Sequence, residues 1–182
     1  ADAKNANDAP TVDDATPQGA SDIAMDAHGN YVITWMSFNQ DGSGNGVYFR
    51  RFDSYGNVLT TGGNTNDVLV NTTTSGNQND PVIAMDQDGN FVIAWAGEGT
   101  GDSQGIFMKA YLADGTAIGT EQIVNTTTAD GQYLPAVAID YNGSSNPATN
   151  PNVVFAWYKY DAGFTDSDVY MRRFGVDFGT ST

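Results

Sequence analysis

The chain has 182 residues and 40% hydrophobic content, enough for one domain with a true core or a few small repeats. Its formal net charge is −15, and the acid is almost entirely aspartate: glutamate occurs only at Glu98 and Glu121. Seven Lys and Arg in that field exclude a nucleic-acid partner, no apolar run approaches a membrane span, and zero Cys excludes disulfides and thiolate chemistry.

Aspartate over glutamate favours turns, caps and hard-cation loops over helix. No segment holds a 3.6-residue apolar period over ten residues, so almost no helix is expected. The chain instead repeats itself. Gln18, Gln78 and Gln132 each lie eight residues before an aspartate, in Met25-Asp26, Met85-Asp86 and Ile139-Asp140. Trp35 recurs as Trp95 and Trp157, and "VNTTT" at Val70 recurs at Val124. The spacing is roughly 54 to 62 residues, long enough for one supersecondary unit per copy. The implied units are an N-terminal extension or exchangeable strand at 1–17, then repeats at 18–75, 76–129 and 130–182.

Each copy reads as four short strands. In the middle copy these are "PVIAMD", "NFVIAW", "GIFMKAY" and "QIVN". Asp88-Gly89, Asp114-Gly115 and Asn142-Gly143 are tight-hairpin dipeptides. In the second strands Tyr31, Ile33 and Trp35 share one face, while Val32 and Thr34 share the other. Both faces are apolar, so each small sheet should be covered on both sides, as in radially stacked propeller blades. The expected fold is all-β, with three four-stranded antiparallel propeller-like blades. A β-sandwich is the alternative and would leave one face of each sheet polar.

"IAMDAHGNYVITW", "QDGSGNGVYFRRFD" and "VNTTTSGNQNDPVIAMDQDGNFVIAW" together resemble a tandem repeat of very large secreted bacterial proteins. Those proteins often carry haemolysin-type calcium-binding, cadherin-like or Calx-β modules. The resemblance spans roughly residues 18 to 175 and implies a secreted or cell-surface, propeller-like module with no assigned chemistry. The third copy departs from the pattern through the insertion "YNGSSNPATNPN" from Tyr141.

Candidate site residues follow from chemistry. Asp86 ends a first strand, Asp88 follows two residues on, and the pair could hold Ca²⁺, but an aspartate there also serves as a hairpin cap. Asp41, Asp102, Asp161, Asp166 and Asp168 lie among glycines in the loops between second and third strands, and are the better calcium candidates. The tryptophans recur at a core position and read as packing rather than sugar platforms. Tyr158, Tyr160 and Phe164, in a loop unique to the third copy, are the aromatic ligand candidates.

Arg50, Arg51, Lys109, Arg172 and Arg173 fall on third strands, and ion pairing with Asp is the expected role. The glutamines are expected to lock strand backbones. Asn71, Asn125 and Asn142 lie in accidental-looking Asn-x-Ser/Thr sequons, and His28, the only histidine, sits in a turn.

No catalytic set emerges, so no enzyme is expected. The expected function is a non-catalytic structural or adhesive module. "PTVDDATPQ" from Pro10 sits where "VNTTTSGNQ" sits from Val70, and the third copy has no matching "VNTTT". A spare strand at one end and a missing one at the other point to a homo-oligomer or fibre built by strand exchange. The alternatives are a lectin-like module for a cell-surface glycan and a fragment of a propeller enzyme.

Overall fold

The computed structural model describes residues 16–63, 65–140, 153–161, 163 and 165–179. They form twelve strands in three antiparallel sheets and no helix. The first sheet holds β1 (Gln18–Met25), β2 (Tyr31–Phe38), β3 (Asn45–Phe52), β4 (Val58–Leu59) and β5 (Val68–Leu69). The second holds β6 (Gln78–Met85), β7 (Phe91–Gly99), β8 (Asp102–Tyr111) and β9 (Ala117–Ile123). The third holds β10 (Gly131–Ile139), β11 (Val153–Tyr160) and β12 (Ser167–Phe174).

The chain is therefore all-β, and its sheets are propeller-like blades, though not uniform ones. Only the second is the expected plain meander β6-β7-β8-β9. In the first, the outer strand is split: β4 pairs with Arg51 and Phe52, and β5 with Tyr48 and Phe49. The Gly62-Gly63 stretch leaves the sheet between them. Three strands of the third sheet are described. The third-copy insertion and all but the last residues of the proposed spare strand lie outside the described residues.

Hairpins between first and second strands are built on one carboxylate each. The Asp26 carboxylate accepts from His28 N (2.7 Å), Asn30 N (2.9 Å) and Asn30 Nδ2 (2.8 Å). Asp86 accepts from Asp88 N, Asn90 N and Asn90 Nδ2 in the same way. Asp53 repeats the device between β3 and β4 with Tyr55 and Asn57. These bonds to its charged form hold the Asp53 carboxyl below the ordinary carboxylate value, the Asn57 side chain contributing most.

Every inner strand is bulged at the same place. The register shifts between Gly19 and Asp22, between Asn79 and Val82, and between Tyr133 and Ala136. Ala20, Asp80 and Leu134 sit within these bulges at φ of 46°, 51° and 50°. A left-handed non-glycine costs about 1–2 kcal/mol, so each copy carries the same local strain.

Packing is sheet on sheet. The trailing face of each blade carries Tyr31, Ile33 and Trp35 or their equivalents, and the leading face carries the residues between. The leading face of the first sheet (Val32, Val47, Phe49) packs on the trailing face of the second (Ile83, Phe91, Ile93, Trp95, Phe107). The leading face of the second (Val92, Ala94, Ile106, Met108) packs on the trailing face of the third (Val153, Phe155, Trp157). Large rings thus fill against small residues of the neighbour. All three tryptophans are buried, and Trp95 and Trp157 stack on cross-strand Phe107 and Tyr170.

Candidate functional site: a cleft between the second and third sheets

Linkers and inner strands meet at one end of the blades, where buried amides do the fastening. Asn71 Oδ1 accepts from Val47 N at 2.8 Å, and its Nδ2 donates to Thr73 O (2.9 Å) and Gln78 Oε1 (3.1 Å). Gln78 Nε2 donates onward to Ser75 O and Glu98 O. The next copy repeats the arrangement with one difference. Asn125 Oδ1 accepts from Ile106 N at 2.7 Å, but its Nδ2 donates to Asp102 Oδ2 (2.7 Å) and Thr127 O (2.9 Å). Gln132 Nε2 still donates to Ala129 O and Asp130 O. Its Oε1, in a side chain 1% exposed, has no partner among the described residues. The expected lock on a strand backbone holds for Gln78, which reaches Glu98 O on β7, whereas Gln132 bonds carbonyls of its own linker and Gln18 is exposed. Asn71 and Asn125 are buried fasteners, and Asn142 lies outside the described residues.

Gln132 lines a cavity of about 180 Å³ between the second and third sheets. Asn77, Asn79, Asp80, Glu98, Gln104 and Tyr133 also contribute to its polar wall. The bulge brings left-handed Asp80 to this wall. Tyr133 Oη donates to Gln104 Oε1 at 3.4 Å, and its ring meets Tyr160 edge-on at 5.7 Å. Amide and carboxylate groups beside an aromatic ring form a wall able to hydrogen-bond hydroxyls and stack on an apolar ring face.

The calcium candidates are dispersed. Asp41 and Asp102 hold equivalent loops: each accepts from the amide two residues on, Ser43 N and Gln104 N, and each faces the buried Asn of its own copy. Asp86 is committed to its turn, and Asp88 belongs to a separate hollow beside His28 and Arg51. Asp161 binds Thr165 N (2.8 Å) and Thr165 Oγ1 (2.6 Å), and these bonds hold its carboxyl below the usual range. Asp161, Asp166 and Asp168 do share one hollow of about 100 Å³. Lys159 shares it too, paired to Asp130 at 3.1 Å. Among the described residues no group of three or more side chains is placed to hold a metal ion.

The aromatic candidates part company. Tyr160 reaches the cleft through Tyr133, whereas Tyr158 pairs with Val169 on the leading face of the third sheet. Phe164 lies outside the described residues.

The basic residues are also used differently from expectation. Arg50 pairs with an aspartate from its third-strand position, through a buried contact with Asp67. Burial pushes the Asp67 carboxyl up, opposed by the Gln40 hydrogen bond and by Arg50. Lys109 donates to Val70 O (3.2 Å) and Arg172 to Val124 O (2.8 Å), each tying a blade to the preceding linker. Arg51 donates to Thr60 O (2.8 Å) and, across the blade interface, to Asp114 O (2.6 Å). For Lys109, Arg172 and Arg51 the acceptors are backbone carbonyls, which lie where these cations reach.

Sequence reasoning missed Asp80, Glu98, Gln104 and Tyr133. Their one available signal was position: Asn79-Asp80 and Tyr133-Leu134 follow the repeated glutamines.

No protein-family model matches the chain, and no curated protein matches it. Among solved structures it is similar to the endo-arabinase of Bacteroides thetaiotaomicron, at 10% identity and a TM-score of 0.49. The match covers 87% of this chain and 56% of that one, so the chain spans a little over half of that structure's length. That neighbour is an enzyme. The expected reading of a non-catalytic structural or adhesive module, self-associating by strand exchange into an oligomer or fibre, is withdrawn on that finding. The match brings neither an activity nor a substrate to this chain.

Proposed function

We propose that the chain binds an oligosaccharide, one sugar unit of which enters the cleft between the second and third sheets. The observation that carries this is the cleft wall, where the amides Asn77, Asn79 and Gln104 stand beside the Tyr133 ring. Those amides can both donate to and accept from sugar hydroxyls, Asp80 and Glu98 accept, and the ring offers a stacking face. At about 180 Å³ the cavity has room for one sugar ring, with the chain continuing into solvent.

The test is titration calorimetry against a panel of soluble oligosaccharides. Binding should be lost or weakened at least tenfold in Tyr133→Ala and Glu98→Gln. A panel without a binder, or a binder indifferent to both variants, sinks the reading.

A second reading is favoured by one observation: two carboxylates, Asp80 and Glu98, line the same cavity. Glycoside hydrolysis uses two carboxyl groups flanking the scissile bond. New reducing ends released by the wild type and not by Glu98→Gln would move the chain from binder to hydrolase.

A further inference from the structure

The charge on the cleft wall names the class of sugar that fits it. Two carboxylates reach this wall from neighbouring strands: Asp80 from the bulge of β6, at φ 51°, and Glu98 from the end of β7. The Glu98 carboxyl lies so close on Gly76, at φ +75°, that no Cβ fits there, and the glycine keeps the space for it. Neither carboxylate has a hydrogen-bond or ion-pair partner among the described residues. The turn aspartates differ: Asp26, Asp53 and Asp86 each accept from two backbone amides and one Asn side chain.

Among the described residues no Lys, Arg or His lines the cleft. Lys159 stands opposite Gln132 across the β10–β11 ladder, but it pairs with Asp130 at 3.1 Å. It lines the next hollow, together with Asp161, Asp166 and Asp168. The surroundings of the cleft are therefore negative as well, and the whole chain, at −15, has the same sign. A narrow cleft focuses such a field, repelling an entering anion and drawing a cation.

We propose that the sugar taken into this cleft carries a free amine, whose ammonium pairs with the Asp80 and Glu98 carboxylates. The inference rests on the cleft being a saccharide site. The amides serve the hydroxyls and Tyr133 serves the ring face, while the two carboxylates supply a charge that a neutral sugar has no use for. An N-acetylated sugar offers no charge to match them, and a uronate would set a third carboxylate against the two.

The experiment is titration calorimetry of the full chain in mildly acidic buffer, where a sugar amine is protonated. The probes are a glucosamine oligomer, the N-acetylglucosamine oligomer of the same length, and spermidine. The glucosamine oligomer should bind about tenfold tighter than its acetylated twin, the effect of one charge-assisted pair. Added salt should erode that preference by screening it. In Asp80→Asn the preference should fall to near parity, and asparagine tolerates the positive φ, so thermal melting should show the variant folded. Spermidine, an ammonium without ring or hydroxyls, should bind about tenfold more weakly than the glucosamine oligomer. If neither saccharide binds, the cleft is no sugar site and the inference falls with that reading. If the acetylated oligomer binds as tightly as the amine, the sugar site stands and this inference alone is overturned. It is equally overturned by a preference that survives in Asp80→Asn, or by spermidine binding as tightly as the sugar, since either puts the preference on the acidic surface at large.

Discussion

Replacing Asn125 by alanine should be among the most damaging single changes in the second sheet. The side chain, 3% exposed, accepts from Ile106 N and donates to Asp102 Oδ2 and Thr127 O. Alanine strips all three partners at once. The buried Ile106 amide alone costs about 1–3 kcal/mol when orphaned, and the bond to the Asp102 carboxylate about 1.5–3 kcal/mol. Thr127 O is only part-buried and can turn to water. Because these costs overlap, the expected loss is about 3–5 kcal/mol. Against a total of about 5–15 kcal/mol for a domain, that is a large fraction.

Equilibrium urea unfolding, followed by fluorescence of the three buried tryptophans, measures it. Asn125→Asp separates the two halves of the effect. It keeps an acceptor for Ile106 N but sets a second carboxylate against Asp102. The folded state then favours a proton on the pair, raising its pKa above the unfolded value. That contribution is present at low pH and lost as pH rises through the raised pKa. The Asp variant should therefore be closer to wild type in acid than at neutral pH. A loss below about 1 kcal/mol for Asn125→Ala, the size of a surface change, would refute the lock.

Two further outcomes follow from geometry. Gly97, at φ +146°, has no room for a side chain, since an added Cβ would stand 2.1 Å from Asn77 O. Gly97→Ala should cost on the order of 2–4 kcal/mol in the same urea assay and distort the cleft wall it lines. A fully stable variant would mean that the linker shifts aside. The turn carboxylates of Asp53 and Asp161 sit below the ordinary value of 3.8 in the folded chain. Their contribution is present above the unfolded pKa and lost as pH falls through the folded one. Asp53→Asn and Asp161→Asn should flatten the fall in melting temperature between about pH 5 and 2. Asp67, raised by burial, acts with the opposite sign and is unaffected by either change. Unchanged acid slopes would refute the assignment.

What was legible in the sequence was what repetition enforces. Period-two alternation through Tyr31–Trp35 and its two copies gave strands with two apolar faces, and in the second sheet both faces are buried between neighbours. Asp followed three residues later by Gly gave the hairpins, because that carboxylate caps the turn and that glycine takes positive φ. The repeated glutamines gave the lock that Gln78 forms. The split of β4 from β5 was not legible, since Val58-Leu59 and Val68-Leu69 are too short to alternate. Nor were the bulges: Ala20, Asp80 and Leu134 share a backbone conformation but no side-chain chemistry, and none is a glycine. The roles of Lys109 and Arg172 were misread for a related reason. A backbone carbonyl leaves no mark in sequence, whereas twenty aspartates invite an ion-pair reading.

The cleft was hidden because it arises from a difference between copies rather than from the repeat. In the first linker, Asn71 Nδ2 reaches Gln78 Oε1, and its contact with Asp41 stretches to 3.4 Å. In the second, Asn125 Nδ2 closes on Asp102 at 2.7 Å and leaves Gln132 Oε1 behind. The two outcomes use the same Asn, Gln and Asp at the same positions. One donor serves two acceptors, and a small displacement of the carboxylate decides which is satisfied. Where Gln78 is satisfied, the linker is sealed. Where Gln132 is not, a buried acceptor is left unmet in a residue that also lines the hollow with Asp80, Glu98 and Tyr133. A symmetric scaffold thus acquires an asymmetric site at no cost in fold, since the blade interface beneath it is unchanged. By that logic Asp102→Ala should release Asn125 Nδ2 to Gln132 Oε1, and so cost clearly less than Asn125→Ala in urea unfolding; equal losses would refute the exchange of partners.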